Sequence, residues 1–261
     1  MENILKEIVA HKKEEVNLHR ASVTPEMLMR MGFFGRETLS MKKALSTSST
    51  GIISEFKRKS PSVGWMHSNA MVEQIVPGYV KNGASAISIL TDEKFFGGGA
   101  KDLITARKLN DSVPILRKDF VVDTYQIYEA KAMGADAILL IAAILAKEEC
   151  EAYAGLAHKL GLEVLLEIHT EEELSYVSAS MDMIGVNNRN LKTFVTDVQN
   201  SIRLSSAIPN TYLKVSESGI SSPDTVKQLR GYGFKGFLMG ENFMKTDDPA
   251  EALNYFIKQV Q

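Results

Sequence analysis

The sequence has a single cysteine, Cys150, in 261 residues, which excludes an internal disulfide and any Cys-rich metal site. It has no apolar run near the ~18–20 residues that a membrane-spanning helix requires. Its opening residues lack the apolar core of a secretory signal, so a cytoplasmic location without membrane association is expected. Neither sign of charge dominates. Thirty Lys+Arg stand against 32 Asp+Glu, a net charge of −2, which leaves no footprint for nucleic acid and no polybasic patch. No Gly-x-Gly-x-x-Gly turn follows an early apolar block, so the fingerprint of a dinucleotide-binding, doubly wound sheet is missing. What is present is ordinary: 44% apolar and 24% charged residues exclude disorder, collagen and coiled coil. At about 100–200 residues per domain, the length fits one or two domains, or one barrel-sized domain.

Four segments align without gaps on a glycine: Gly83-Ala-Ser-Ala-Ile-Ser-Ile-Leu90, Gly134-Ala-Asp-Ala-Ile-Leu-Leu-Ile141, Gly161-Leu-Glu-Val-Leu-Leu-Glu-Ile168 and Gly233-Phe-Lys-Gly-Phe-Leu-Met-Gly240. Each follows a helix-like stretch and runs into a short apolar block, the pattern of a glycine-terminated helix leading into a buried strand. The glycine separations of 51, 27 and 72 residues divide into two, one and three units. A unit is then about 25 residues, one strand plus one helix with short loops. Strand-like blocks beginning near Ile52, Ala86, Pro114, Ala137, Glu163, Met183, Tyr212 and Gly236 complete a set of eight. Between them lie helical patterns such as Asp123–Met133, opening at an acidic N-cap, and Lys147–Leu160. Strands apolar on both faces, such as Ala137–Ile141, suit a parallel sheet covered by helices. Together these predict an α/β fold, a (β/α)8 TIM barrel with an N-terminal helical extension, over an open doubly wound sheet.

The expected organisation is one domain over residues 1–261, with a helical extension at 1–50, the barrel at 51–245 and a C-terminal helix at 246–261. Within the extension, Met1–His19 and Pro25–Met31 look helical, and Ser46–Thr50 reads as a polar linker. The extension caps the barrel or helps to shape its mouth, or else is a plain helical decoration.

In a parallel barrel the reactive groups sit at the C-terminal strand ends, on inward residues at i, i+2 spacing. Strand one, Ile52-Ile-Ser-Glu-Phe-Lys57, puts Glu55 and Lys57 on one face. Lys118 shares a face with Leu116, and Glu167 interrupts an apolar run. Strand six closes with Asn187 and Arg189, and strand seven with Val215-Ser-Glu-Ser-Gly219. A single charge at a strand end is ordinarily a solvated edge residue. Five strands ending this way are different, because ionised groups in a barrel mouth are costly to desolvate unless paired or functional.

Two turns add a second signal. Ser218-Gly219-Ile220 follows strand seven, and Gly240-Glu241-Asn242 follows strand eight, entering a short helix before Pro249. Such loops bind phosphate through backbone N–H groups and a helix N-terminus, so a phosphate anchor is expected. Taken alone, each glycine reads equally well as a turn residue. Gly97-Gly-Gly99 reads as a flexible substrate-side loop, and Trp65 and Met66 as either an apolar lid or plain packing. The five histidines show no metal spacing, His169 beside Glu167 reads as structural, and Cys150 falls in an outer helix.

With these residues assembled, the chain resembles the indole-3-glycerol phosphate synthases, barrel enzymes of tryptophan biosynthesis. The resemblance rests on Ile53-Ser-Glu-Phe-Lys-Arg-Lys-Ser-Pro-Ser-Val-Gly64, Ile89-Leu-Thr-Asp-Glu-Lys-Phe-Phe-Gly-Gly98 and Pro114-Ile-Leu-Arg-Lys-Asp-Phe120. Gly134–Ile141, Val186-Asn-Asn-Arg-Asn-Leu191 and Ser216-Glu-Ser-Gly-Ile220 complete it. Phosphoribosylanthranilate isomerases share the phosphate loops but not the first-strand and Arg-Lys-Asp-Phe motifs.

The resemblance implies a carbon–carbon lyase. It closes the ring of 1-(2-carboxyphenylamino)-1-deoxyribulose 5-phosphate with loss of carbon dioxide and water, and needs no cofactor or metal. It further implies Lys118 as general acid, Glu167 as general base, and Lys57 in phosphate binding and proton donation, oriented by Glu55. Asn187 and Arg189 match the pair that holds the substrate carboxylate region and orients Glu167. Glu217 and Ser218 match strand-seven contacts, while Gly219, Gly240 and Glu241 match the phosphate cradle. Many relatives carry serine at the last position; a glutamate there adds repulsion unless only its backbone N–H faces the phosphate. Ser60 matches a substrate contact, and Phe96, Phe120 and Leu191 an apolar wall around the anthranilate ring.

The residues agree with that chemistry: two anionic ends need cations, the ketone oxygen an acid, and the later proton a base. Neighbouring cations are expected to depress the lysine pKa values. A small phosphosugar is the expected partner, and a monomer is expected rather than an oligomer. Another phosphosugar isomerase, or a catalytically silent metabolite-binding protein, are the competing readings. The first would show Asp or Cys acid–base partners at strand ends, and the second would lack Lys118 or Glu167.

Overall fold

In the computed structural model, which describes residues 3–190 and 193–260, local signals set most element boundaries. The extension forms α1 (Asn3–Ser22), α2 (Pro25–Leu28) and α3 (Met41–Thr47). Thr24 caps α2 by accepting the Met27 N–H, with Pro25 in the first turn, where its missing N–H costs nothing. Ser40 caps α3 by accepting the Lys43 N–H. This helix takes in Ser46 and Thr47, which the polar pattern assigned to a linker. Met41 and Leu45, one turn apart, are fully buried, and both hydroxyls turn back to donate to the Lys43 carbonyl.

Among the described residues, eight parallel strands close a barrel: β1 (Ile52–Phe56), β2 (Ala86–Leu90), β3 (Ile115–Lys118), β4 (Ala137–Ile141), β5 (Glu163–Ile168), β6 (Met183–Asn187), β7 (Leu213–Glu217) and β8 (Phe234–Met239). Each pairs with its sequence neighbour, and β1 pairs with both β2 and β8. Five strands begin where the sequence predicts. Of the others, β8 begins earlier than Gly236, because Phe234 already pairs with Lys214 ahead of a register shift.

The connecting helices are α4 (Val72–Lys81), α5 (Glu93–Phe96), α6 (Ala100–Leu109), α7 (Tyr125–Met133), α8 (Lys147–Lys159), α9 (Gln199–Ser205), α10 (Pro223–Gly231), α11 (Glu241–Met244) and α12 (Pro249–Val260). Between β5 and β6 the expected helix is replaced by one 3-10 turn, Glu172–Tyr176. The four aligned glycines share one conformation: Gly83, Gly134, Gly161 and Gly233 have φ of 89°, 92°, 76° and 86°. That is the left-handed cap a helix needs before the chain turns into the next strand, and a Cβ would strain it. No described helix is long and apolar enough to cross a membrane.

Alternation along each strand separates two apolar layers. Ile52, Phe56, Ile87, Ile138, Val164 and Ile184 pack outward under the helices, while Ile53, Leu116, Leu139, Leu165, Val215 and Leu238 fill the interior. The extension joins that interior at two places. Met41 and Leu45 of α3 pack into it beside the start of the strands, and Ile8 of α1 packs into it together with Phe95 and Phe120 beyond the strand ends. α1 therefore helps to shape the mouth, one of the roles open for the extension.

Candidate active site

Four interior apolar residues, Ile53, Leu116, Leu165 and Val215, are each followed two positions later by an ionisable one: Glu55, Lys118, Glu167 and Glu217. These lie on β1, β3, β5 and β7, and alternate strands supply one layer of a parallel barrel's interior. A layer of charge thus sits directly above a layer of hydrocarbon. Lys118 Nζ is 2.9 Å from Glu167 Oε2 and 2.8 Å from Glu217 Oε2. Lys57, just past β1, has its Nζ 2.6 Å from Glu55 Oε1.

The electrostatics reverse one expectation. Burial by itself lowers the Lys118 pKa, but Glu167, Glu217 and Glu55 outweigh it and hold the ammonium above the ordinary lysine range. The predicted depression fails because the groups surrounding this lysine are carboxylates, not cations. Burial pushes Glu217 up to about 7, with Glu167 and Glu55 adding repulsion that Lys118 offsets only in part. Glu167 goes the other way: burial raises it, yet Lys118, His169 and a hydrogen bond from Asn187 bring it well below the carboxylate range. Two buried carboxylates on one lysine are thereby driven apart in proton affinity.

Around this layer lies a cavity of about 180 Å³. One wall is apolar: Ile4, Leu5 and Ile8 from α1, Leu139 and Ile141 from β4, and Phe96 and Phe120. The Phe96 and Phe120 rings are 5.8 Å apart and tilted by 37°. Another wall is polar, with Lys57, Ser60, Arg189, Ser218, Gly219, Gly240 and Glu241. Ser218 and Gly219 take consecutive left-handed conformations, φ 66° and 74°, at the end of β7, and α11 starts directly after Gly240. Glu241 turns its carboxylate onto Arg189, Oε2 lying 3.2 Å from Nη2. Arg189 also donates to Ser62 Oγ, tying the loops after β1, β6 and β8 together.

The comparisons with known proteins agree with this geometry. A family model described as indole-3-glycerol phosphate synthase matches residues 5–256. The chain belongs to the indole-3-glycerol phosphate synthase family. A relative of that name from Bacteroides thetaiotaomicron is 57% identical over 261 residues, covering 100% of both chains. Another, from Caldanaerobacter subterraneus subsp. tengcongensis, is 42% identical over 259 residues, covering 99% of each. Among solved structures, a thiamine phosphate pyrophosphorylase from Pyrococcus furiosus superposes with a TM-score of 0.60 at 15% identity, over 81% of this chain and 96% of that one. At that identity the likeness speaks for the barrel alone.

Of the residues singled out from the sequence, Glu55, Lys57, Ser60, Phe96, Lys118, Phe120, Glu167, Asn187, Arg189, Glu217, Ser218, Gly219, Gly240 and Glu241 all line the one cavity. Leu191 lies outside the described residues. The Gly97–Gly99 run is not a substrate-side loop. It is the tight junction of α5 and α6, where Gly97 caps α5 against Arg58 and Trp65, and Gly98 donates to Asp92 O. Trp65 is more than half exposed, with Lys59 Nζ 5.5 Å above its ring.

Sequence reading missed Ile4, Leu5 and Ile8, whose contribution depends on how α1 docks, and Gly185 on β6. A Cβ at Gly185 would stand 2.3 Å from Glu217 Oε1. A glycine inside a strand is the signal that could have found it.

Proposed function

We propose that the protein closes the ring of 1-(2-carboxyphenylamino)-1-deoxyribulose 5-phosphate to give indole-3-glycerol phosphate, carbon dioxide and water. The observation that carries this reading is the charged layer, one lysine held between two carboxylates, set between an apolar aromatic wall and a pair of glycine turns. The anthranilate ring packs against Phe96, Phe120 and Ile8. The phosphate lies at the Ser218–Gly219 and Gly240–Glu241 turns, meeting backbone N–H groups and Lys57 while the Glu241 carboxylate is held away by Arg189.

In the first step the ring carbon bearing the carboxylate bonds to the ketone carbon, and the Lys118 ammonium gives its proton to the ketone oxygen. A lysine kept above its usual range is always loaded at neutral pH, and the alkoxide it meets is more basic still. The bond to the carboxylate then breaks, carbon dioxide leaves, and the electron pair returns to the ring. In the second step the new hydroxyl departs as water with a proton from Lys57, oriented by Glu55, while Glu167 takes the proton lost on rearomatisation. Asn187 holds Glu167, and Arg189 meets the substrate carboxylate. Extension, barrel and C-terminal helix act as one domain over residues 1–261, and the protein works as a monomer on a small phosphosugar.

The test is to incubate purified protein with the carboxyphenylamino-deoxyribulose phosphate and follow indole fluorescence. A rise with stoichiometric carbon dioxide release is expected. No product from well-folded protein would move the reading to a silent phosphometabolite binder.

A further inference from the structure

His169, the first residue past β5, is a group the reaction does not use, yet it is packed against its base. The imidazole is only 9% exposed. Nε2 lies 3.3 Å from Glu167 Oε1, on the far side of that carboxylate from Lys118, which meets Oε2. Nδ1 lies 3.6 Å from Glu173 Oε2, in the 3-10 turn after β5. Both ring nitrogens are buried without a hydrogen-bond partner, and each faces a carboxylate oxygen at ion-pair distance. The backbone around the ring is fixed as well, because the His169 N–H donates to Glu173 and its carbonyl accepts from Asn200 Nδ2.

We infer that His169, held as an imidazolium between Glu167 and Glu173, is the positioning residue that keeps Glu167 ionised and fixes which of its oxygens faces Lys118. A neutral imidazole would turn a lone pair toward one of two carboxylates, whereas the doubly protonated ring presents positive charge to both at ion-pair distance. The surrounding charge agrees. Burial alone disfavours the imidazolium, but Glu173, Glu167 and, from β7, Glu217 together hold it above the ordinary 6.5. The cations nearby are engaged elsewhere: Lys118 with Glu167 and Glu217, Arg189 with Glu241, and Arg203 of α9 with Asn200. A second hollow, lined by His169, Glu173, Asn200 and Arg203, lies behind the ring. Glu167 is thus gripped from the active cavity by Lys118 and from behind by His169.

The inference rests on the reading of Glu167 as the base, and its test separates the two. An NMR titration of the full-length protein follows the His169 ring directly. It should titrate above 6.5, and Glu167→Gln should lower it by about one pH unit, because the attraction between two sites is reciprocal. Glu173→Gln, which leaves the active cavity untouched, should shift it in the same direction. In kinetics, His169→Gln should lower kcat about tenfold with KM within about twofold, and move the acidic limb of the kcat profile upward. A ring that titrates at or below 6.5, or that ignores Glu167→Gln, overturns the ion pair whether or not ring closure is observed. A loss equal at every pH, with KM raised alongside, reduces His169 to packing and overturns the inference too.

Discussion

Gly185 decides where Glu217 can stand. Adding one methyl would place a carbon 2.3 Å from Glu217 Oε1, so the carboxylate that meets Lys118 through Oε2 must shift. Because a misplacement of about 1 Å costs on the order of 10²-fold in rate, Gly185→Ala should lower kcat by about that factor while the barrel still forms. Circular dichroism and steady-state kinetics check both halves. Lys118→Ala should reduce turnover by ~10²–10⁴-fold with the fold intact, the range for loss of a general acid, and near-normal turnover would remove that role.

Glu217 makes a prediction of opposite sign for stability. Its ordinary value of 4.5 is pushed up to about 7. As pH rises between those values the unfolded chain ionises while the folded one keeps its proton, so this group subtracts stability across that window and in full above it. Glu217→Gln should therefore raise the unfolding midpoint at pH 8 and leave it nearly unchanged at pH 4, while lowering activity. Equal shifts at both pH values in calorimetry would dismiss ionisation as the cause.

Among the elements, α1 is held by a buried charge. Lys12, fully buried, lies 3.1 Å from both Asp92 and Asp119 and 2.9 Å from Glu15. Asp119 follows Lys118 directly and is shared with Arg117. Burial raises the Asp119 carboxyl, but Lys12 and Arg117 outweigh it and bring it down to about 2. This contribution is present above the ordinary 3.8 and is lost as pH falls toward 2. Lys12→Met strands the buried Asp92 carboxylate and leaves Asp119 to Arg117 alone, which should cost about 3–5 kcal/mol. It should also raise KM, since the same helix brings Ile4, Leu5 and Ile8 to the cavity. A variant as stable to urea as the parent would show that α1 docks by its apolar face alone.

None of this was legible in the sequence. Lys12 reads as one of several charges on an amphipathic helix until the docking brings it to Asp92 and Asp119. The barrel strands were legible, because each repeats the same glycine-to-apolar step within its own unit. The helix missing between β5 and β6 was not, since a polar stretch of suitable length looks the same whether it coils fully or makes one 3-10 turn.

At the scale of the molecule, the large apolar side chains exposed among the described residues are Leu18, Met27, Met29 and Met31 on the extension, with Val63, Trp65, Met71, Leu109, Val195, Tyr232 and Tyr255 elsewhere. Sedimentation should give a single species of 28.9 kDa, and a species of twice that mass would make part of this surface an interface. That Glu55, Lys118, Glu167 and Glu217 line one cavity was legible from charge interrupting apolar strands at i, i+2. How they act on one another was not. The sign of the Lys118 shift depends on distances across the barrel, and those exist only once the sheet has closed. The origin of the charged layer on β1, β3, β5 and β7 has a further consequence. No two of its four members sit on hydrogen-bonded neighbouring strands, so each is flanked on both sides by strands that contribute to other layers. Exchanging one of them rewrites the reactivity of the mouth without touching a rung of the backbone ladder. Closure and chemistry are in this sense separately editable, the first encoded in strand pairing and the apolar layer beneath, the second in the side chains that ride on top of it and the loops beside them.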